Sequence, residues 1–255
     1  MTDLGVAVVV EDDDDVRHLV EAVLSQAGFD VHGAASGREG VEVVRSQKAS
    51  VVTLDIGLHD IDGFEVLRRI RQFSDAYVVM LTAREDELDT LTALHTGADD
   101  FMTKPFRPRE LRARVAAMMR RPRMDAAGRP RERGPAPAIG PVPPHDAVLR
   151  HNGLVLNPQT RSVTLAGSPT SLTRSEFDLL HALLKAAGAV RTKTDLVRVV
   201  RGEHYGVDAY ISESDERAVE VHIGNLRRKL GEDQLQPRWL QTVRGVGYRL
   251  APAQD

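Results

Sequence analysis

Asp55 closes the run Val51-Val52-Thr53-Leu54-Asp55-Ile56-Gly57, in which residues of strand character pass straight into a carboxylate and then a glycine. An Asp at the end of a buried strand is a candidate nucleophile, although it serves equally well as a turn former or helix cap. Three more strand-like runs end in reactive side chains: Val6 to Val10 leads into Glu11 and Asp12, Tyr77 to Leu81 into Thr82, and Asp100 to Thr103 into Lys104-Pro105. Carboxylates gathered in one place repel unless a cation sits among them, and hard oxygen ligands of this kind suit Mg²⁺ with several waters retained. In such a setting Asp55 can attack phosphorus to give an acyl phosphate while the cation neutralises the equatorial oxygens. Lys104 supplies a mobile positive charge for one phosphoryl oxygen and Thr82 a hydroxyl for another. A cis Lys104-Pro105 bond would aim the lysine at the pocket. Singly, each group has a plainer role: acids in a first helical turn, a helix cap, a solvated strand end. Their coincidence at four strand ends favours a site.

These side chains meet only if the strands lie side by side. Residues 1–121 alternate strand patterns, near Val6–Val10, Asp30–Ala34, Val51–Leu54, Tyr77–Leu81 and Asp100–Thr103, with helical patterns near Val16–Ala27, Gly37–Gln47, Gly63–Phe73, Asp86–Thr96 and Pro108–Arg120. Alternation of this kind predicts an α/β fold with a doubly wound, five-stranded parallel sheet covered by helices on both faces. In such a sheet the ligand crevice lies at the carboxyl ends of the strands, at the topological switch point. The reactive groups stand at those ends.

With 255 residues, 42% hydrophobic and 28% charged, the chain has material for one or two globular cores. It enters strand-like Val6 to Val10 without a basic n-region, and no apolar run approaches a bilayer span, so a cytoplasmic location is expected. Zero cysteines exclude disulfides, thiolate metal sites and Cys nucleophiles. Charge is unevenly spread. Residues 1–121 carry 15 Lys and Arg against 22 Asp and Glu, a net of −7, whereas residues 147–255 carry 15 against 12, a net of +3. Residues 122–146 hold Pro130, Pro135, Pro137, Pro141, Pro143 and Pro144 among glycines and arginines, a composition that makes a flexible linker rather than a packed element. The expected domains are therefore 1–121 and 147–255.

In the second domain, short strands near Gly153–Leu156 and Arg161–Leu165 flank the turn Asn157-Pro158-Gln159-Thr160. Thr173-Arg174-Ser175-Glu176 is a capping box opening a helix with Phe177, Leu180, Leu183 and Leu184 on one face. A second helix opens at Thr192–Asp195. A third, near Asp215–Leu230, buries Val219, Ile223, Leu226 and Leu230 and leaves Arg217, His222, Asn225, Arg227, Arg228 and Lys229 free to face outward. Trp239–Val243 and Tyr248–Leu250 pair as a hairpin across Arg244-Gly245-Val246-Gly247. A helix with a basic outer face beside a basic hairpin tip suits DNA, although a net of +3 fits a solvated helix as well.

Val8-Val9-Val10-Glu11-Asp12-Asp13, Leu54-Asp55, Asp62-Gly63, Met80-Leu81-Thr82-Ala83-Arg84, Gly97-Ala98-Asp99-Asp100-Phe101 and Lys104-Pro105-Phe106 together resemble the receiver domain of bacterial two-component response regulators. Leu172-Thr173, Glu176-Phe177, Leu179-Leu180, Val219-Glu220-Val221-His222-Ile223, Leu226-Arg227, Lys229-Leu230 and Thr242-Val243-Arg244-Gly245-Val246-Gly247-Tyr248 resemble the winged helix-turn-helix effector domain of the OmpR/PhoB family. The pair implies a flavodoxin-like receiver followed by a small α+β DNA-binding domain. It implies phosphorylation of Asp55 by a sensor histidine kinase, Mg²⁺ held by Glu11, Asp12, Asp55 and the Gly57 carbonyl, and Thr82 and Phe101 as a switch pair. Arg217, His222, Arg227 and Thr242 would meet DNA phosphates, and Asn225 and Arg244 would reach bases. A phosphorylation-dependent homodimer on tandem promoter half-sites, working with RNA polymerase, completes the expectation. Its contacts would involve Glu110, Arg114 and Asp99 or Asp100, with Thr90 standing where the family's pattern has a basic residue.

Four positions depart from the family's pattern. Leu58-His59-Asp60 replaces Leu-Pro-Gly, Gly57 replaces a larger residue, and Gly224 lies inside the recognition helix where it reduces base readout, at about 1 kcal/mol of helix propensity. A haloacid-dehalogenase-type phosphatase would need an acid/base Asp at the position of Gly57, so turnover of external substrates is not expected. Walker, G-x-S-x-G and H-E-x-x-H motifs are all missing, and the nine histidines show no metal spacing. A receiver serving only as a dimer module would be expected to lose a pocket residue, and this pocket is complete.

Overall fold

The computed structural model describes residues 4–83, 87–119, 148–201, 211–233 and 235–254, so the linker expected at 122–146 lies outside the described residues. In the first domain β1 (Val6–Val10), β2 (Asp30–Ala34), β3 (Val51–Asp55), β4 (Tyr77–Thr82) and β5 (Asp100–Thr103) form one parallel sheet in the order β2-β1-β3-β4-β5. The intervening helices are α1 (Asp14–Gln26), α2 (Gly37–Gln47), α3 (Gly63–Arg71), α4 (Glu87–Thr96) and α5 (Pro108–Met119). β3 and β4 are buried along their whole length, which is why they read as unbroken apolar runs rather than alternating ones. Strand order reverses at β1, so its end and that of β3 open the crevice.

Register decides which groups meet. Val10 pairs with Leu54, so Glu11 follows on one strand where Asp55 stands on the next. Thr82 pairs with Thr103, one residue before Lys104. Caps fix where the helices begin: the side chains of Asp13, Ser36 and Asp62 accept from the N–H groups of Val16, Glu39 and Phe64. Gly63 satisfies a steric demand, because a Cβ there would lie 2.3 Å from the Asp55 carbonyl oxygen.

The second domain begins with an antiparallel four-stranded sheet, β6 (Leu149–His151), β7 (Leu154–Asn157), β8 (Ser162–Leu165) and β9 (Ser168–Pro169). α6 (Arg174–Lys185), β10 (Arg191–Thr192), α7 (Lys193–Arg201), α8 (Glu213–Leu230), β11 (Leu240–Val243) and β12 (Gly247–Leu250) follow. The capping box at Thr173 and Glu176 forms as expected, and a second one joins Ser212 to Asp215 and starts α8 two residues ahead of the sequence pattern. Strands β6, β9 and β10 are additions to the sequence reading. Each has only two or three residues, too few for a period, and only their partners define them. β10 turns the expected hairpin into a three-stranded sheet, β10-β12-β11. Val219, Ile223, Leu226 and Leu230 form the buried stripe of α8 as expected.

Gly63→Ala is expected to cost about 1–3 kcal/mol, because the added methyl has only backbone to displace. Urea unfolding followed by far-ultraviolet dichroism checks this: an unchanged midpoint for the first domain would show that the α3 entry yields without strain.

Candidate functional site

At the carboxyl edge of the first sheet, Glu11, Asp12 and Asp55 place carboxylate oxygens within 4.8 Å of one another. Glu11 and Asp55 are buried and Asp12 is partly exposed. Lys104 crosses from β5 to meet them, its Nζ 2.7 Å from Glu11 Oε2 and 3.1 Å from Asp55 Oδ1. Burial pushes the Glu11 pKa up and the neighbouring Asp55 adds to that, outweighing the Lys104 ammonium. Burial opposes the charge on Lys104, yet the two carboxylates hold its pKa above the ordinary value. Lys104 thus keeps its positive charge beside the carboxylates. Charge density of this sign, with oxygen donors from two strands, fits a small divalent cation. Thr82 is buried at the end of β4, and Phe101 on β5 packs partly buried against the apolar cluster of that face. The Lys104-Pro105 bond is cis.

The β3–α3 loop departs from the family's pattern and is anchored differently. Asp60 accepts hydrogen bonds from the Gly37 N–H at 2.8 Å and the Arg38 N–H at 3.0 Å, tying the loop to the first turn of α2. Slight burial opposes ionisation, but these bonds hold the Asp60 pKa below the usual carboxylate value. Nothing local marks the role, since the partner lies 23 residues upstream. His59 sits with Nδ1 3.2 Å from Asp12 Oδ2. Gly57 places no side chain beside Asp55: a Cβ there would stand 3.6 Å from Asp55 Oδ2, at ordinary contact distance.

The expected DNA-reading residues divide. Arg244 and Thr242 are exposed on the hairpin, and Arg217 is exposed on α8. Arg227 donates to the Leu240 carbonyl at 2.9 Å and to Thr242 Oγ1 at 2.8 Å, bracing α8 against the hairpin. His222 and Asn225 do not face outward. They are 1% and 2% exposed, buried against the first domain. His222 Nε2 donates to the Asp99 carbonyl at 3.1 Å, and Asn225 Nδ2 donates to the Leu94 carbonyl at 2.8 Å. Arg228 reaches the His95 carbonyl at 3.4 Å. Leu94 and His95 are in the last turn of α4, where carbonyls lack full intrahelical partners and positive charge is favoured. Val221 and Ala218 complete this second stripe, within the apolar cluster that holds Ala93, Leu94 and Ala98. Gly224 has open space around it, so neither packing nor the domain contact requires a glycine.

The expected dimer residues are also engaged within the chain. Arg114 bonds both oxygens of Asp100, at 2.9 and 2.8 Å, and Glu110 at 2.7 Å. Although burial disfavours its charge, Arg114 and Arg201 of α7 keep the Asp100 pKa low. Asp99 is wholly committed: Oδ2 accepts from Arg71 Nη2 at 2.6 Å and the Val78 N–H at 3.0 Å, and Oδ1 from the Ser175 N–H at 3.0 Å. The reading of Asp99 as an available contact between protomers is corrected by this burial. Thr90 lies on α4, but its side chain is outside the described residues. Nothing local in the sequence marks the roles of Asp60, Arg71, Ser175 and Val221, which all come from distant partners.

Residues 7–116 match the model of the response regulator receiver domain, and residues 167–250 match that of the C-terminal domain of transcriptional regulatory proteins. Among solved structures, a RitR mutant covers 97% of this chain and 99% of its own at 21% identity, with a TM-score of 0.71, a likeness of fold. DrrB, a Thermotoga maritima OmpR/PhoB homologue, is 27% identical over 97% of this chain and 99% of its own, with a TM-score of 0.46. A putative response regulator from Chloroflexus aurantiacus is 34% identical over 45% of this chain and 97% of its own, with a TM-score of 0.43.

With no side chain at Gly57 beside Asp55 Oδ2, water attacking an acyl phosphate formed there would meet no obstruction from this position. Gly57→Met is expected to lengthen the lifetime of that species several-fold, followed by intact mass after the phosphodonor is removed. An unchanged decay would show that access from this side does not set the rate.

Proposed function

The chain belongs to the OmpR/PhoB type of two-component response regulators, and on that premise we propose that Asp55 accepts a phosphoryl group from a sensor histidine kinase and thereby frees α8 to bind promoter DNA. A receiver joined to this DNA-binding domain makes the protein a phosphorylation-regulated transcription regulator, not an enzyme acting on external substrates. The observation that carries the finer reading is the pocket of Glu11, Asp12, Asp55 and Lys104 at one sheet edge.

Glu11, Asp12, Asp55 and the Gly57 carbonyl are the groups that would hold Mg²⁺, which when bound offsets charge on the phosphoryl oxygens. The chain's own part is to position and to switch. Asp55 Oδ2, away from Lys104, is the open oxygen for attack, and Lys104 leaves its Asp55 contact to meet a phosphoryl oxygen. The Thr82 hydroxyl follows the new charge, and Phe101 moves with it on the adjacent strand. Phe101 is two residues from Asp99, so a shift of β5 disturbs the carbonyl and carboxylate that hold His222 and Ser175.

Once released, α8 enters the major groove with Asn225 toward bases, while His222, Arg217, Arg227 and Thr242 meet phosphates and Arg244 reaches a base edge from the wing. Receivers then pair through α4, β5 and α5 as Arg114, Asp100 and Glu110 exchange partners, giving dimers on tandem half-sites beside RNA polymerase.

Incubation with a small phosphodonor and Mg²⁺ should add one phosphoryl mass to the intact chain and none to Asp55→Asn. A mass shift that persists in the variant would remove Asp55 as the acceptor. On DNA, Arg244→Ala should cost about 1–3 kcal/mol and relax preference at one position, whereas Arg227→Ala should weaken all sequences alike and lower the salt slope by about one. Equal loss of specificity in both variants, measured by fluorescence anisotropy across salt concentrations, would reverse the assignment.

A further inference from the structure

We propose that His222 makes the docking of the two domains proton-sensitive: a neutral imidazole holds α8 against the receiver, and its protonation loosens that contact without any change at Asp55. The imidazole is 1% exposed and faces a carbonyl, so Nε2 carries the proton and donates it to Asp99. A neutral ring meets this requirement in full. A second proton puts a charge into a site closed to water, which is costly unless an unpaired anion faces it.

The acids facing His222 already have partners. At the entry to β5, the Asp99 carboxylate is held by Arg71 from the end of α3, and Asp100 by Arg114 from α5. On α6, Glu176 Oε2 accepts from Lys229 at 2.6 Å and from the Thr173 N–H at 2.7 Å. From α4, the last turn contributes His95, whose carbonyl meets Arg228. The cations beside these acids blunt their pull, and burial prevails: the His222 pKa lies below the ordinary imidazole value despite Asp99 and Glu176.

The sign of the effect follows. With its pKa depressed in the docked arrangement, His222 binds fewer protons docked than undocked. Docking is therefore at full strength above the ordinary imidazole pKa of about 6.5 and weakens as pH falls below it, by at most about tenfold in the docked-to-undocked ratio per pH unit, until the docked group itself titrates. His222 shares its stripe of α8 with Asn225 and Arg228, so the proton that loosens the helix also leaves a positive charge on the face offered to DNA phosphate.

The test reads docking itself, apart from DNA affinity and phosphorylation. The chain has no cysteine, so Ser46→Cys and Ser168→Cys, at exposed positions in the two domains, create a unique pair for donor and acceptor dyes. With no phosphodonor present, energy transfer should change reversibly between pH 7.5 and 5.5. His222→Gln, which keeps an N–H donor but takes up no proton, should hold one value throughout. A pH-independent signal in the otherwise unchanged chain overturns the proposal, as does the same midpoint in the glutamine variant. Should the variant be undocked at every pH, the imidazole resonance of His222 in the parent chain decides: titration coincident with the change in transfer supports the proposal, and titration elsewhere overturns it.

Discussion

Three carboxylates at the end of one sheet repel one another unless a counter-charge meets them, and among the described residues Lys104 reaches two of them. The sheet order places β5 two strands away from β3, so the group that reaches Asp55 must be long, flexible and compact at its charged end. Lysine has those properties and arginine's fixed fork does not. The arrangement is poised rather than settled. Burial raises the Glu11 pKa even beside the ammonium, and any cation or phosphoryl group that enters redistributes the contacts of Lys104. β1 from Ala7 onward and the whole of β3 are buried, which leaves the ends of these strands as the place where chemistry can meet solvent.

Asp99 joins the first domain to the second. It stands at the start of β5, five residues before Lys104, and its carboxylate and carbonyl are shared among Arg71, Val78, Ser175 and His222. Two domains of modest size are thereby joined through backbone groups at helix ends: the first-turn N–H of α6 and the last-turn carbonyls of α4. On the proposed DNA-reading roles of His222 and Asn225, the same face of α8 would have to turn toward DNA, and docking and DNA reading would compete for them. Arg114 and Asp100, held together inside one chain, present the same competition for receiver pairing.

What the sequence disclosed follows from these constraints. Buried parallel strands are continuous apolar runs, so Val51 to Leu54 and Tyr77 to Leu81 announce themselves, and the groups just beyond them converge because the sheet is parallel. The main stripe of α8 was equally legible in Val219, Ile223, Leu226 and Leu230. Its second stripe was not, since His222, Asn225 and Arg228 are polar residues that serve either a receiver or a duplex, and periodicity cannot tell a docked polar face from a solvated one. Asp60 escaped notice for a related reason: its carboxylate caps a helix distant in sequence, and a lone acid in a loop carries no mark of that task. Strands of two or three residues such as β10 exist only through their partners and leave no pattern of their own.

The proposed coupling of Asp55 to α8 can be tested at a single amide. The Ser175 N–H lies in the first turn of α6, where helices leave N–H groups unpaired, and its partner is the Asp99 carboxylate of the other domain. Its hydrogen exchange, resolved by nuclear magnetic resonance before and after complete phosphorylation of Asp55, should be slow in the unphosphorylated chain and much faster in the phosphorylated one. Equal protection in both states would contradict the claim that phosphorylation undocks the DNA-binding domain.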